Sequence, residues 1–220
     1  MHPPFSAEQF FDVFRRYNET VWPAQIALNA VGLIAAAAAW RANARRSWRP
    51  ARVAIALLAA LWLWTGIVYF KMFFVTVTRA GEVFGSLFLA QAVLLLLAAW
   101  QNEPLERTSR TSIAAGASIL VYALLLYPVA GMAAGQQYPA IPTFGAPCPL
   151  TIFTFGVFCL LPGAVSRVLT AIPVLWVLIS SYAAVGFHVV EDLGLPIAAI
   201  AAIAVMDREA HHPRVAGVAV

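Results

Sequence analysis

The chain has 220 residues, of which 62% are hydrophobic and 11% are charged, and its formal net charge is +4. Soluble domains are nearer half apolar and a quarter charged, so this composition excludes a soluble enzyme, a nucleic-acid-binding protein and a disordered scaffold. A P-loop motif is absent, which argues against an ATP-driven pump within this chain. The sequence is therefore that of an integral membrane protein.

An amphipathic helix is predicted at residues 5–18, before the first apolar run. Ser6 and Gln9 have the spacing of a capping box, and Phe5 and Phe10 have that of a hydrophobic staple. Apolar side chains recur at helical spacing while the charged ones fall largely on the other face, so the helix is predicted to lie along the outer membrane–water interface. A structural collar for the first span is favoured over a gate or a partner site.

Apolar segments then follow one another to residue 206. Crossing about 30 Å of hydrocarbon takes about 20 apolar residues, and six segments meet that length closely. The seventh, 194–206, spans only if it begins near His188, and a half-span is the alternative. The prediction is a single domain over 1–220, an all-α bundle of seven transmembrane helices, or six. The predicted spans are about 21–40, 53–77, 83–100, 111–132, 148–165, 168–187 and 189–206.

The basic residues predict the orientation of this bundle. Ten of the 14 Lys and Arg residues fall on one face, five of them within 41–52. Because short cytoplasmic loops carry an excess of Lys and Arg, that face is predicted to be cytoplasmic. Seven spans then place the N-terminus outside and the C-terminus in the cytoplasm.

The proline-rich stretch 138–156 is predicted to be a stiff extended loop that leads into the fifth span near Pro149. Cys148 would then lie at a helix N-terminus, where it is a candidate soft metal ligand or reactive thiol. The alternative is a small residue in a tight turn. Cys159, eleven residues later, is predicted to be a core residue that cannot reach Cys148.

A second polar cluster, His188–Val189–Val190–Glu191–Asp192, precedes the last apolar segment. His188 and Glu191 would share one helical face and could bind a transition metal or relay protons. Further ligands would have to come from Asp192, Cys148, Glu82 or the first outer loop. A polar turn facing water is the alternative.

Lys71 lies in an otherwise apolar segment, near its outer end. Snorkelling to the lipid headgroups is the favoured interpretation. An ion pair with Glu82, Glu191 or Asp192 is the alternative, and it would form a charged outer rim.

Two stretches resemble a known family: 4–25, which reads PFSAEQFFDVFRRYNETVWPAQ, and 138–156, which reads YPAIPTFGAPCPLTIFTFG and is followed later by HVVEDLGL. They are similar to a bacterial family of small multi-pass membrane proteins known only as a domain of unknown function. The resemblance covers nearly the whole chain. It implies a bacterial membrane location and brings no activity, cofactor or catalytic residue.

We therefore expect a bacterial inner-membrane protein, more in keeping with a binder than with an enzyme, that binds or transports a small solute or a metal ion at an outward-facing site. Its partners are the lipid bilayer and that ligand, not nucleic acid, and its only candidate cofactor is a metal ion. A periplasm-facing thiol-dependent enzyme and an accessory membrane subunit are the alternatives. The candidate site residues are Cys148, His188, Glu191, Asp192, Glu82 and Lys71, with the first three as candidate metal ligands.

Overall fold

The computed structural model describes residues 5–101, 105, 108–161, 163, 165, 167–187 and 189–211. In this part of the chain the protein is all-α, as predicted, with eight helices joined by short connections. The helices are α1 (Ala7–Val21), α2 (Ala24–Arg45), α3 (Trp48–Thr76), α4 (Ala80–Trp100), α5 (Arg110–Ala133), α6 (Pro147–Leu160), α7 (Arg167–Phe187) and α8 (Gly194–His211).

Each predicted apolar segment corresponds to one helix, but several helices run past the apolar residues. The segment 41–52 was expected to be a loop, whereas α2 continues to Arg45 and α3 begins at Trp48. Basic residues at a helix C-terminus interact favourably with the helix dipole, so the helix persists there. Arg46 ends α2 in the left-handed conformation (φ 50°), and its N–H reaches the carbonyl groups of the last turn.

Four helices in the described part of the chain, α2 to α5, are long and apolar enough to cross a membrane. The fifth predicted span, 148–165, is shorter than expected because α6 ends at Leu160. Its 14 residues rise only about 21 Å. The seventh segment was expected to be helical from about 189. Instead Val190–Leu193 is a separate 3-10 turn, and α8 begins at Gly194.

Helix α6 is the centre of the bundle. All of its residues except Cys148 are buried, and it packs against α2, α3, α5, α7 and α8. A helix that is apolar on every side belongs in a core, which explains why so uniformly apolar a segment is surrounded by protein.

Two glycines set the distance between α5 and α6. A Cβ at Gly116 would lie 2.9 Å from the carbonyl oxygen of Gly156, which is backbone and cannot move aside alone. We expect Gly116→Ala to lower the free energy of unfolding by about 1–3 kcal/mol, because overpacking forces the two helices apart. Denaturant titration in detergent micelles measures this change. Ser118→Ala, on the exposed face of the same helix, is the control. An equal loss of stability in that variant would contradict the role of Gly116 in setting the distance between α5 and α6.

Helix α1 shows the predicted N-terminal signals. Ser6 and Gln9 form the reciprocal capping box, and the rings of Phe5 and Phe10 stack 6.3 Å apart. Its apolar face, however, is covered by the bundle rather than turned toward lipid: Val13, Phe14 and Tyr17 are buried. The helix therefore forms a cap across one end of the bundle, which we call the α1 end.

Candidate functional site

A cavity of about 180 Å³ lies at the α1 end. It is lined by α1, the end of α3, the start of α4, the start of α6, the second half of α7 and the 3-10 turn before α8. Most of its wall is aromatic, and its polar groups include the Cys148 thiol, the Ser180 hydroxyl and the Asp192 carboxyl. Its rings include Phe10, Phe14, Tyr69, Phe70, Phe84 and Trp176.

Helix α1 provides one wall of this cavity. The ring of Phe10 stacks on that of Phe187 with centroids 4.8 Å apart, and Phe5 stacks on the same ring at 5.4 Å. Phe14 stacks on Tyr69 at 5.4 Å. These contacts tie the cap to α3 and α7.

The opposite wall comes from α3, α4 and α7. Trp176 meets Phe70 and Phe84 edge to face, with centroids 5.3 Å and 5.4 Å apart. Tyr69 and Phe70 belong to a π-helical stretch of α3, Thr65–Phe73. Helix α5 also has a π-helical stretch, Tyr122–Leu126. Such stretches are frequent at functional sites. The stretch in α3 lines the cavity, and the one in α5 lies beside the 3-10 turn Val190–Leu193, which we call the acidic turn.

The acidic turn is held against α5. The hydroxyl of Tyr122 donates to the backbone carbonyl of Glu191 at 2.7 Å. A Cβ at Gly194 would clash with the Tyr122 ring, so glycine is required for this close approach. The turn thereby places Asp192 at the cavity.

Asp192 is 4% exposed. Its carboxyl accepts a hydrogen bond from the Tyr127 hydroxyl, and Cys148 lines the same cavity. The turn lies outside the long apolar helices, and burial raises the pKa of Asp192 to about 7. The carboxyl of Asp192 therefore changes charge near neutral pH.

Glu191 is fully buried, and neither of its carboxylate oxygens forms a hydrogen bond within the described part of the protein. Burial raises the pKa of this group as well. Gln136 lies near Glu191. A Cβ placed on Gly131 would lie 3.2 Å from the side-chain oxygen of Gln136 and 3.1 Å from a carboxylate oxygen of Glu191. The turn thus carries two adjacent buried acids.

The structure brings together only part of the predicted site. Cys148 and Asp192 line the same cavity, so the start of α6 and the turn before α8 lie close together. Glu191 lies beside them but on the α5 side, and His188 is outside the described residues. Because Glu191 lies in the 3-10 turn beyond the end of α7, it is not on an α-helical face.

Lys71 and Glu82 form a separate pair. The ammonium nitrogen of Lys71 lies 2.7 Å from a carboxylate oxygen of Glu82. Of the two interpretations of Lys71, snorkelling and an ion pair, the structure shows the ion pair, with Glu82 as the partner. Neither side chain lines the cavity, so they do not form a rim around Asp192.

The two cysteines are both free thiols. Cys148 is the second residue of α6 and reaches the cavity, while Cys159 is fully buried in the core, as predicted. Among the described residues no three His, Cys, Asp or Glu side chains cluster closely enough to hold a metal ion. The metal site of Cys148, His188 and Glu191 stays a prediction, because His188 is not among those residues.

Sequence reasoning missed Tyr127 and Trp176. Both lie in apolar helical segments, where one aromatic ring is indistinguishable from a core or lipid-facing residue. The hydroxyl and indole N–H of such residues usually find a partner when buried, which is the one signal that the residue types carry. The Tyr127 hydroxyl has such a partner in Asp192, whereas the Trp176 indole N–H has none among the described residues.

A comparison with protein families finds a match to DUF6064, a family of unknown function, over residues 7–216. A search of the curated proteins found no match, and neither did a search of the solved structures. The family match covers nearly the whole chain, including α1, the cavity and the acidic turn. The protein therefore belongs to the DUF6064 family of unknown function.

Proposed function

We propose that this protein is a bacterial inner-membrane protein in which α2 to α8 form seven spans and α1 covers the outer end. Large apolar side chains along these helices are exposed on the outside of the bundle, more than a water-soluble monomer tolerates. Examples are Leu33, Leu97, Leu178, Ile197 and Ile200. The arginine-rich connection between α2 and α3 supports a cytoplasmic location for the end opposite α1.

Its function in this proposal is to bind a small solute in the aromatic cavity. The observation that carries the proposal is the cavity itself, which is concave, mostly apolar and equipped with a single convergent polar cluster around Asp192. Those are the usual properties of a small-molecule site. Its location at the outer end would give access from the periplasm. Transport of the solute would begin with the same binding step.

A thiol-dependent enzyme is less well supported. The nucleophile is the thiolate, and Cys148 shares the cavity lining with the Asp192 carboxyl. An adjacent negative charge disfavours a thiolate, since like charges raise the free energy of the ionised form. No described contact favours an accessory subunit over the other classes.

The thiol of Cys148 provides a test, because it lines the cavity and can report occupancy. In a Cys159→Ala background, purified protein is treated with methyl methanethiosulfonate, a small neutral thiol reagent, and modification is followed by intact mass. We expect choline, or its neutral isostere with a tert-butyl group in place of the trimethylammonium group, to slow modification of Cys148.

Two variants make this result specific. Ser180→Leu projects a larger side chain into the cavity and is expected to abolish protection. Glu8→Cys, in a protein lacking both native cysteines, places a thiol on the exposed face of α1, and its modification rate should not respond to either solute. If neither solute protects Cys148, the proposed function is wrong.

A further inference from the structure

We propose that the cavity selects a small organic ammonium ion, whose positive charge is held beside Asp192 and among the aromatic rings. This inference rests on the proposed function, because it assigns the chemical class of the solute. It is drawn from the charge balance of the cavity, the chemistry of its walls and its volume.

The charge balance is incomplete. Asp192 is buried, its described hydrogen-bond donor is the neutral Tyr127 hydroxyl, and the Cys148 thiol that lines the same cavity is neutral as well. None of the described residues lining the cavity is Lys or Arg, and the nearby Lys71 pairs with Glu82. A buried carboxylate without a cationic partner is costly. A cationic ligand would provide the missing partner.

The walls determine which kind of cation fits. Aromatic rings attract cations through their negative faces, and this attraction is strongest where water is excluded. The rings of the wall form one contiguous aromatic cluster, which comprises Phe14, Tyr69, Phe70, Phe84 and Trp176. Hard metal ions require about six oxygen ligands, which a wall of this composition does not provide. An alkylated ammonium, weakly hydrated and apolar on its outside, matches both rings and carboxylate.

The volume sets the size of the ligand. A cavity of roughly 150 Å³ accommodates benzene, so the 180 Å³ available here suits a solute of similar size. Choline and tetramethylammonium fall in this range. A nucleotide, a peptide or an intact lipid does not, although the trimethylammonium headgroup of phosphatidylcholine could enter alone.

The comparison of choline with its neutral isostere tests the charge. Both have the same shape, so any difference in the concentration that half-protects Cys148 reports the positive charge. In the wild-type cavity we expect the half-protecting concentration of choline to be at most about one tenth of that of the isostere. Equal concentrations would overturn this inference and leave the proposed function intact, whereas no protection by either solute would overturn both.

Asp192→Asn is expected to abolish the preference for choline, because the amide retains the size of the side chain and removes its charge. The ratio of the two half-protecting concentrations within one variant cancels any change in Cys148 reactivity. Asp12→Asn, on the outer face of α1 and outside the cavity lining, should leave the ratio unchanged. A preference that survives Asp192→Asn would contradict the role of this carboxylate, and the wild-type comparison remains decisive if the variant does not fold.

The source of the ammonium group is tested by changing the lipid. Protein in phosphatidylglycerol nanodiscs is compared with protein in nanodiscs that also contain phosphatidylcholine, with no solute added. If the ligand is a free solute, Cys148 should be modified at the same rate in both kinds of nanodisc. Slower modification with phosphatidylcholine would overturn the free solute in favour of the lipid headgroup.

Discussion

Replacing Asn18 by alanine is expected to lower the free energy of unfolding by about 3 kcal/mol or more. Asn18 is fully buried, and its amide nitrogen donates to the carbonyl groups of Pro139 at 2.7 Å and Ile141 at 2.8 Å. Its side-chain oxygen accepts from the Thr143 hydroxyl at 2.8 Å. Alanine would leave these groups without partners, and an unsatisfied buried polar group costs about 1–3 kcal/mol.

The same residue joins the cap to the bundle, because these bonds connect the end of α1 to the segment before α6. We therefore expect Asn18→Ala also to accelerate modification of Cys148, since the cavity loses part of its cover. Denaturant titration in mixed micelles measures the first effect, and methyl methanethiosulfonate labelling measures the second.

Asn29 is the matched control for this substitution. Its amide nitrogen donates to the Gln25 carbonyl at 2.8 Å within α2, a local contact that leaves a half-buried group near its own helix. Asn29→Ala is expected to cost less than about 1 kcal/mol. Comparable losses for the two alanine variants would show that the bonds of Asn18 do not hold α1 in place.

The positions of the helices could be predicted because each one contains an apolar run bounded by polar residues. The errors fall at the ends, where α2 continues through Arg45 and α6 stops at Leu160. Hydropathy reports which residues avoid water and says nothing of hydrogen bonds in a polar last turn. The number of spans is likewise not determined by apolar length, since α6 is enclosed by other helices.

The N-terminal helix shows where local rules suffice and where they stop. The reciprocal bonds of Ser6 and Gln9 depend on residues three apart, so the capping box could be read directly. The partner of the apolar face could not, because lipid tails and aromatic side chains are equally good neighbours for Phe14. The deciding contact is with Tyr69, more than fifty residues away.

The candidate site likewise depends on contacts between residues far apart in the sequence. Cys148 and Asp192 could each be singled out as polar groups beside apolar runs, but their meeting depends on the path of α6 relative to the turn before α8. Tyr127 completes the cluster from α5, and its place in the sequence does not indicate Asp192 as its partner. Long-range packing therefore determines the chemistry of the cavity, while the sequence pattern alone identifies only some of its members.

The stability of the ligand-free protein is expected to fall as pH rises from about 4 to about 7. The pKa of Asp192 is raised from 3.8 to about 7 in the folded protein, so the folded state binds more protons than the unfolded state between these values. The resulting stabilisation is fully present below the unfolded pKa and is lost as pH rises through the folded pKa. A shift of this size corresponds to about 4 kcal/mol.

The neighbours of Asp192 act on its pKa in both directions. Burial is the main cause of the raised pKa and the adjacent Glu191 adds to it, whereas the hydrogen bond from Tyr127 and the nearby Cys148 thiol oppose it. The pKa of Glu191 is raised as well, so this group contributes to the same pH dependence. No described Lys or Arg lines the cavity to reverse the sign.

Unfolding free energies measured across this pH range in wild-type protein and in Asp192→Asn isolate the contribution of Asp192. Asparagine does not titrate, so most of the pH dependence should disappear, with a remainder due to Glu191. Glu8→Gln, at an exposed position on α1, should behave like the wild type. Stability that rises with pH in the wild type, or an unchanged slope in Asp192→Asn, would show that the buried carboxyl is not neutral in the folded protein at low pH. Added choline should reduce the loss of stability near neutral pH, because a bound cation favours the ionised carboxylate.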